Sequence, residues 1–184
     1  IQHQTSELWL KLMLHELDRA IECVKRDELS ATFKIFARVA HIQRMLFEQW
    51  AVLETMTPSE YLTFRDALGK SSGFQSYQYR AVEFMLGNKD ANLLLPHRDS
   101  PEIYAWLKAR LEQPSLYDEF LRFLHRHGHP VPSSQVERDF TLPYVKSEAV
   151  LKIFKTVYER PEENWAAYEM AEKFSASFHQ YGAD

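Results

Sequence analysis

Apolar residues recur every three or four positions along most of the chain, which is the spacing of amphipathic α-helices. A first apolar stripe lies in residues 5–26 and a second in residues 30–54, with a break at Arg26-Asp27 between them. Two long helices joined by so short a turn form an antiparallel hairpin, the usual start of a helical bundle. The first stripe consists of Leu10, Leu14, Leu17, Ile21 and Val24.

Helix start and stop signals divide the rest of the chain. The string Thr57-Pro58-Ser59-Glu60 combines an N-cap, a proline at the first helical position and a capping-box glutamate. It predicts a helix that runs to about Leu68 and ends at Gly69. Further helices are predicted at residues 74–86, 101–113, 115–127, 147–159 and 162–175, with an irregular segment at 87–100 and a long loop at 127–143. The pattern therefore predicts an all-α helical bundle.

Composition and charge narrow the function classes. The 184 residues are 45% hydrophobic and 26% charged, as in a globular protein, and their net charge of -4 argues against a nucleic acid as partner. No stretch approaches the ~20 apolar residues of a membrane span, and the polar opening of the chain leads us to expect no signal peptide. The negative net charge also argues against an anionic membrane surface, so we expect no membrane partner. A single cysteine, Cys23, excludes an internal disulfide and indicates a reducing compartment.

One pair of side chains suits a carboxylate ligand. Tyr61 and Arg65 are four residues apart and share one face of the predicted helix. A guanidinium binds both oxygens of a carboxylate, and the phenol adds a third donor. The same spacing also suits a solvated arginine beside a half-buried tyrosine, which is the commoner arrangement.

Two other positions could contact a ligand. His3 lies just before the first apolar stripe, where a neutral imidazole can accept a hydrogen bond from a substrate N–H or act as a base. Ser72 and Gly73 precede a predicted helix and could present a hydroxyl and backbone N–H groups to a polar ligand. A helix-end histidine and an ordinary N-cap are the plainer interpretations of these positions.

The sequence contains no recognisable metal or nucleotide motif. The alternating histidines at 125, 127 and 129 have neither helical i, i+4 spacing nor nearby carboxylates, which favours a solvated loop and predicts no metal ligand. Glu-x-x-His, H-E-x-x-H, G-x-G-x-x-G, the P-loop and G-x-S-x-G are all absent from the sequence. Spacing alone therefore indicates a helical domain without indicating its use.

Longer strings of the sequence resemble the tryptophan 2,3-dioxygenase family of haem enzymes. These strings are IQHQTSELWLKLMLHEL at 1–17, LETMTPSEYLTFRDALG at 53–69, SSGFQSYQYRAVEFMLGNK at 71–89 and PSLYDEFLRFL at 114–124. They are long, colinear and rich in uncommon residues, and the resemblance covers most of residues 1–174. It implies an all-α bundle of the tryptophan/indoleamine 2,3-dioxygenase type.

The resemblance also implies an activity. Family members use haem b (heme, with its iron) to insert both atoms of O2 across the indole C2–C3 bond of L-tryptophan. The product is N-formylkynurenine, and the reaction is the first step of the kynurenine pathway. The resemblance further implies a cytoplasmic homotetramer.

Individual roles follow from the matching positions. The resemblance implies that His3, the one candidate catalytic residue, lies on the distal side of the haem and accepts a hydrogen bond from the indole N–H. It implies that Tyr61 and Arg65 hold the substrate carboxylate. The other positions that it assigns to the substrate are Ile1, Gln2 and Ser72, and those that it assigns to the haem are Trp50, Gly73 and Arg80.

The ends of the chain depart from the family pattern. Members of the family begin before the position of Ile1 and continue past Phe174 with a W-R-x-R-H stretch whose histidine ligates the iron. Here the sequence continues as SASFHQYGAD, and His179 does not lie in such a motif. We therefore expect a helical domain over 1–174 with a divergent tail over 175–184, and we expect this chain alone to bind haem weakly or not at all. The alternative is a non-catalytic helical interaction module or an inactive fragment that retains the fold.

Overall fold

The computed structural model describes residues 1–69 and 75–178, and this described part is helical without strands, as the sequence predicts. The α-helices are α1 (Gln2–Lys25), α2 (Leu29–Glu48), α3 (Trp50–Glu54), α4 (Pro58–Phe64), α5 (Tyr77–Leu86), α6 (Pro101–Glu112), α7 (Leu116–Arg126), α8 (Ser133–Val136), α9 (Glu148–Glu159) and α10 (Trp165–Phe178). Among the described residues, 3₁₀ helices cover Arg65–Leu68 and Ala91–His97. Among the helices described, none has both the length and the apolar character that a membrane crossing requires.

Helix α1 is the centre of the bundle. It packs against α2 as the predicted hairpin and also against α5 and α7, while α10 packs against α2. The turn between α1 and α2 places Asp27 at a φ of 57°, in the left-handed region. Arg126 on α7 holds this turn, because its Nη2 donates to the Val24 carbonyl and to Asp27 Oδ1, each at 2.7 Å.

Aromatic rings join the last helix to the core. The Phe36 ring meets the rings of Phe174 and Phe178 edge-on at centroid distances of 5.9 and 5.4 Å. Phe174 also stacks on Phe120 of α7 at 5.4 Å. Helix α10 thus continues to a buried Phe178, a few residues past the predicted end, whereas His179 lies outside the described residues.

The structure differs from the predicted elements at two places. The helix predicted over 30–54 is interrupted at Gln49, which separates α2 from α3. The segment 87–100 was expected to be irregular, and this prediction is wrong at Ala91–His97. A 3₁₀ helix forms there because Asp90 caps it by accepting from the Asn92 N–H at 2.9 Å, and because Leu94 is buried against the core.

A buried lysine closes the C-terminal end of α6. Lys89 is only 1% exposed, and its Nζ donates to the carbonyls of Arg110, Leu111 and Gln113 at 3.2, 3.0 and 2.6 Å. These are carbonyls that a helix end leaves without intrahelical partners. Removal from water lowers the pKa of Lys89 from 10.5 to about 8.

A buried capping box lies at the start of α7. Ser115 forms a capping box with Asp118, whose Oδ2 accepts from the Ser115 N–H and hydroxyl, both at 2.7 Å. The other carboxylate oxygen of Asp118 accepts from Arg138 Nε at 2.7 Å. The cap is buried and the ion pair is partly buried, and both carboxylate oxygens of Asp118 accept hydrogen bonds.

Candidate functional site

Hydrogen bonds from two glutamines fix the beginning of α1, where His3 lies. Gln49 Nε2 donates to Ser6 Oγ at 2.8 Å, and the Gln49 carbonyl accepts from Gln2 Nε2 at 2.9 Å. Gln78 of α5 donates through Nε2 to the Glu7 carbonyl at 2.9 Å and to Glu7 Oε2 at 2.6 Å. We call these five residues (Gln2, Ser6, Glu7, Gln49 and Gln78) the α1 anchor.

The α1 anchor brings His3 near one of the other predicted positions. Because the Gln2 side chain bonds the Gln49 carbonyl, the peptide that leads into Trp50 lies beside the first turn of α1. Trp50 is 48% exposed, and His3 and Ile1 are also exposed. An imidazole and an indole ring are therefore available to solvent at this end of the bundle.

The predicted carboxylate pair lies on a separate, exposed segment. Its capping box is confirmed, since the Glu60 N–H donates to Thr57 Oγ1 at 3.3 Å and Glu60 Oε2 accepts from the Thr57 N–H at 2.8 Å. Every residue from 57 to 69 is exposed. We call residues 57–69 the α4 segment.

The two members of the pair are not on one continuous α-helix. The backbone leaves regular helical geometry at Phe64, with φ -123° and ψ 0°, and Arg65 begins the 3₁₀ helix. Tyr61 is 41% exposed and packs edge-on against Phe64 at 5.5 Å. Arg65 Nη1 donates to the Gly69 carbonyl at 3.0 Å, so the α4 segment occupies one of the donors expected for a carboxylate.

Arg80 is buried rather than presented at the surface. It is 6% exposed, and its Nη1 lies 2.8 Å from Glu83 Oε2. Burial raises the pKa of Glu83 although the charge of Arg80 opposes the change. Burial, with a further contribution from Arg80, lowers the pKa of the nearby His97. Within the described residues, Arg80 Nε and His97 Nε2 are buried without hydrogen-bond partners, so this cluster keeps unused polar atoms.

Ser72 and Gly73, the remaining predicted positions, lie outside the described residues. Two cavities elsewhere in the chain have volumes of about 100 and 200 Å³, and neither includes His3, Tyr61 or Arg65. One is lined by Tyr117, Tyr144, Val145, Lys146, Ser147, Val150, Leu151 and Phe154, and the other by Ala40, His41, Gln43, Arg44, Ala176 and Ser177.

The described residues hold no cluster of three or more histidine, cysteine, aspartate or glutamate side chains suited to a metal ion. In the histidine-rich string, His127 Nδ1 lies 2.9 Å from the Phe123 carbonyl and its ring packs on the Phe123 ring at 4.1 Å. His127, the residue after α7, therefore has a structural partner in that helix.

The sequence interpretation missed Gln49 and Gln78. For Gln78 a signal was present, because this polar residue shares a helix face with Ala81, Val82 and Met85, all of which are buried. A glutamine on an apolar face needs a hydrogen-bond partner, but the sequence does not say which one.

Comparisons with known proteins agree with the resemblance. The sequence model of the tryptophan 2,3-dioxygenase family matches residues 1–164. A protein of Myxococcus xanthus named tryptophan 2,3-dioxygenase is 64% identical over 173 residues, which cover 94% of this chain and 60% of that protein. A tryptophan 2,3-dioxygenase of Serratia proteamaculans is 59% identical over 182 residues, with 97% and 65% of the two chains covered.

A third relative, tryptophan 2,3-dioxygenase 1 of Ralstonia nicotianae, is 52% identical over 174 residues, covering 95% of this chain and 59% of the relative. The chain thus spans about three-fifths of the length of the curated relatives that it matches. Matches of this identity and extent establish that the chain belongs to the tryptophan 2,3-dioxygenase family.

Proposed function

We propose that this chain forms part of a haem-dependent dioxygenase that cleaves the indole C2–C3 bond of L-tryptophan and yields N-formylkynurenine. The observation that carries the proposal is its 64% identity over 173 residues to a protein named tryptophan 2,3-dioxygenase. The roles proposed for individual side chains come from the family motifs that the chain retains.

Substrate binding is divided between two parts of the chain. His3 accepts a hydrogen bond from the indole N–H, which orients the ring. Arg65 and Tyr61 bind the substrate carboxylate through charge-assisted hydrogen bonds, for which Arg65 exchanges its bond to the Gly69 carbonyl. Ile1, Gln2 and Ser72 complete the lining. Orientation is the contribution of the protein, because holding reactants in a productive geometry removes much of the entropic barrier.

Haem b, when bound, supplies the activation of O2. The chemistry of the described residues suits this group in two ways. Trp50 offers an exposed aromatic ring of the kind that packs against a flat macrocycle. Arg80 retains a buried Nε donor without a partner in the described residues, and a propionate carboxylate is an acceptor that such a donor takes. Trp50, Arg80 and Gly73 are the residues proposed to hold the haem.

A test of the carboxylate role compares substrates with and without that group. In the polypeptide expressed from its native gene, we expect Arg65→Leu to raise KM for L-tryptophan by at least about tenfold, because a hydrogen bond between charged groups contributes about 1.5–3 kcal/mol. The KM for tryptamine, which has no carboxylate, should change little. Arg160→Leu, on the exposed surface after α9, is the matched control.

Product formation is followed by mass spectrometry with isotopically labelled O2, both atoms of which should enter the product. An unchanged KM for L-tryptophan in Arg65→Leu would remove Arg65 from the site.

A second candidate is an inactive member of the family that retains only the fold. The exposure of the α4 segment and the local bond of Arg65 to Gly69 favour this alternative. The two candidates differ in one measurement, since the inactive member would form no N-formylkynurenine after reconstitution with ferrous haem. This chain expressed alone is expected to show a weak haem absorption band or none.

We also propose that the enzyme is a cytoplasmic homotetramer. Support for self-association comes from large apolar side chains that are exposed near the start of α1, at the junction of α2 and α3, and on α4, among them Leu8, Phe47, Val52 and Leu62. Such patches usually mark contact surfaces. Light scattering after size exclusion would give a fourfold mass for the native protein.

A further inference from the structure

We propose that Gln49 and Gln78 are positioning residues that set the distance between His3 and the substrate indole. This inference rests on the proposed function, in which His3 accepts the indole N–H. It adds two residues that contact neither the substrate nor the haem and act only through the first two turns of α1.

Gln49 restrains the chain on both sides of His3. Its Nε2 donates to Ser6 Oγ at 2.8 Å and to the Leu46 carbonyl at 3.3 Å. Its own carbonyl accepts from Gln2 Nε2 at 2.9 Å. A single residue at the junction of α2 and α3 therefore fixes positions 2 and 6, and His3 lies between them.

Gln78 restrains the next turn. It is 9% exposed, and its Nε2 donates to both the carbonyl and the carboxylate of Glu7. In an α-helix the N–H of residue 7 bonds the carbonyl of residue 3, so a fixed Glu7 also fixes the peptide of His3. Gln78 belongs to the first turn of α5, and the same bond therefore sets α1 relative to the segment that follows Ser72 and Gly73.

The proposed hydrogen bond between the indole N–H and His3 depends on the exact position of the His3 ring. An N–H···N hydrogen bond weakens steeply with misalignment, and small displacements of a positioning group reduce rates strongly. Loss of a hydrogen bond of the α1 anchor should therefore reduce the increase in kcat/KM that a substrate gains from its indole N–H. If the glutamines served only to stabilise the packing of α1 against its neighbouring helices, recognition of the indole N–H would not depend on them once the protein is folded.

The test compares L-tryptophan with 1-methyl-L-tryptophan, in which the indole donor is absent. The measured quantity is the ratio of kcat/KM for the two substrates, determined in the haem-loaded protein expressed from its native gene. The variants are Gln78→Met and Gln49→Met, which keep side-chain length but remove the amide, and Gln113→Met is an exposed control. Each variant is also made in a His3→Ala background.

We expect the preference for L-tryptophan to fall about tenfold in Gln78→Met and in Gln49→Met, a loss of roughly one well-made hydrogen bond, and to stay unchanged in Gln113→Met. In the His3→Ala background the same substitutions should leave the preference unaltered. Amide hydrogen exchange over residues 1–9 should rise in both variants. Ser6→Ala, which a helix tolerates, removes the acceptor of Gln49 and provides the same measurement if a methionine variant fails to fold.

Three results overturn the inference, and they are distinguishable. If His3→Ala lowers the preference but Gln78→Met and Gln49→Met or Ser6→Ala do not, the positioning role is wrong and the indole contact stands. If His3→Ala itself leaves the preference unchanged, the indole contact is wrong, and the positioning role fails with it. A loss of preference that is equally large with and without His3 likewise refutes the positioning role.

Discussion

The buried amine of Lys89 makes the stability of the protein depend on pH in a defined window. Burial lowers the pKa of Lys89 to about 8 from the 10.5 of a lysine in water. Between these two values the unfolded chain carries a proton that the folded chain has released. The contribution of Lys89 to the free energy of unfolding therefore rises as the pH increases from about 8 to about 10.5.

The size of the effect follows from the gap of roughly 2.5 between the two pKa values. At ~1.36 kcal/mol for each pKa unit, the full change is about 3 kcal/mol. The free energy of unfolding should rise by about 2 kcal/mol between pH values of about 7.5 and 9.5. Over this range the folded protein loses most of the proton on Lys89, whereas the unfolded chain loses only a small part of it. The three carbonyl acceptors at the end of α6 lose a donor in any variant without the amine.

Urea unfolding of the wild-type protein and of Lys89→Met, followed by circular dichroism at the two pH values, isolates this group. Lys89→Met should be the less stable protein at both, because the α6 carbonyls remain buried without the amine. Its deficit relative to wild type should grow by about 2 kcal/mol at the higher pH. Lys146→Met, at an exposed lysine, is the control and should show no such growth. A deficit that is constant or that shrinks with pH would refute the reasoning.

Two further substitutions test ion pairs of different burial. Asp118→Ala should lower the free energy of unfolding by about 3–5 kcal/mol, because it leaves the largely buried Arg138 without its carboxylate. Urea denaturation measures this loss, and a value under about 1 kcal/mol would contradict the expectation. Arg126→Ala should cost only about 1–2 kcal/mol, since its partner Asp27 is half exposed, and the loss in thermal midpoint should shrink in high salt. If the loss in thermal midpoint does not depend on salt, it comes from the hydrogen bond to the Val24 carbonyl rather than from the ion pair.

Local signals predicted local structure well. The capping box at Thr57 and Glu60 and the helix starts at Pro101 and Ser115 involve residues within one turn of each other, so the sequence alone specifies them. The hairpin of α1 and α2 was likewise predictable, because its apolar stripes and its short turn are features of adjacent residues.

The α1 anchor could not be predicted in the same way. Its bonds join residues that are 43, 47 and 71 positions apart, and such partners are chosen by the packing of helices rather than by neighbouring residues. The pair Tyr61 and Arg65 shows a related limit. Its predicted common face assumed 3.6 residues per turn up to Leu68, whereas the helix changes to a 3₁₀ turn at Arg65. The carboxylate role of the pair stays a prediction.

The exposure of the α4 segment has a consequence for how ligand affinity can be tuned. A helix of 7 residues has marginal stability in water. This one is exposed, and its capping box supplies local hydrogen bonds that stabilise its first turn. On the proposed carboxylate role, part of the binding free energy would be consumed in holding this short helix in place. A better cap at Thr57 should then tighten binding of the carboxylate although neither Tyr61 nor Arg65 is changed, so that pre-organisation of the α4 segment would control the affinity.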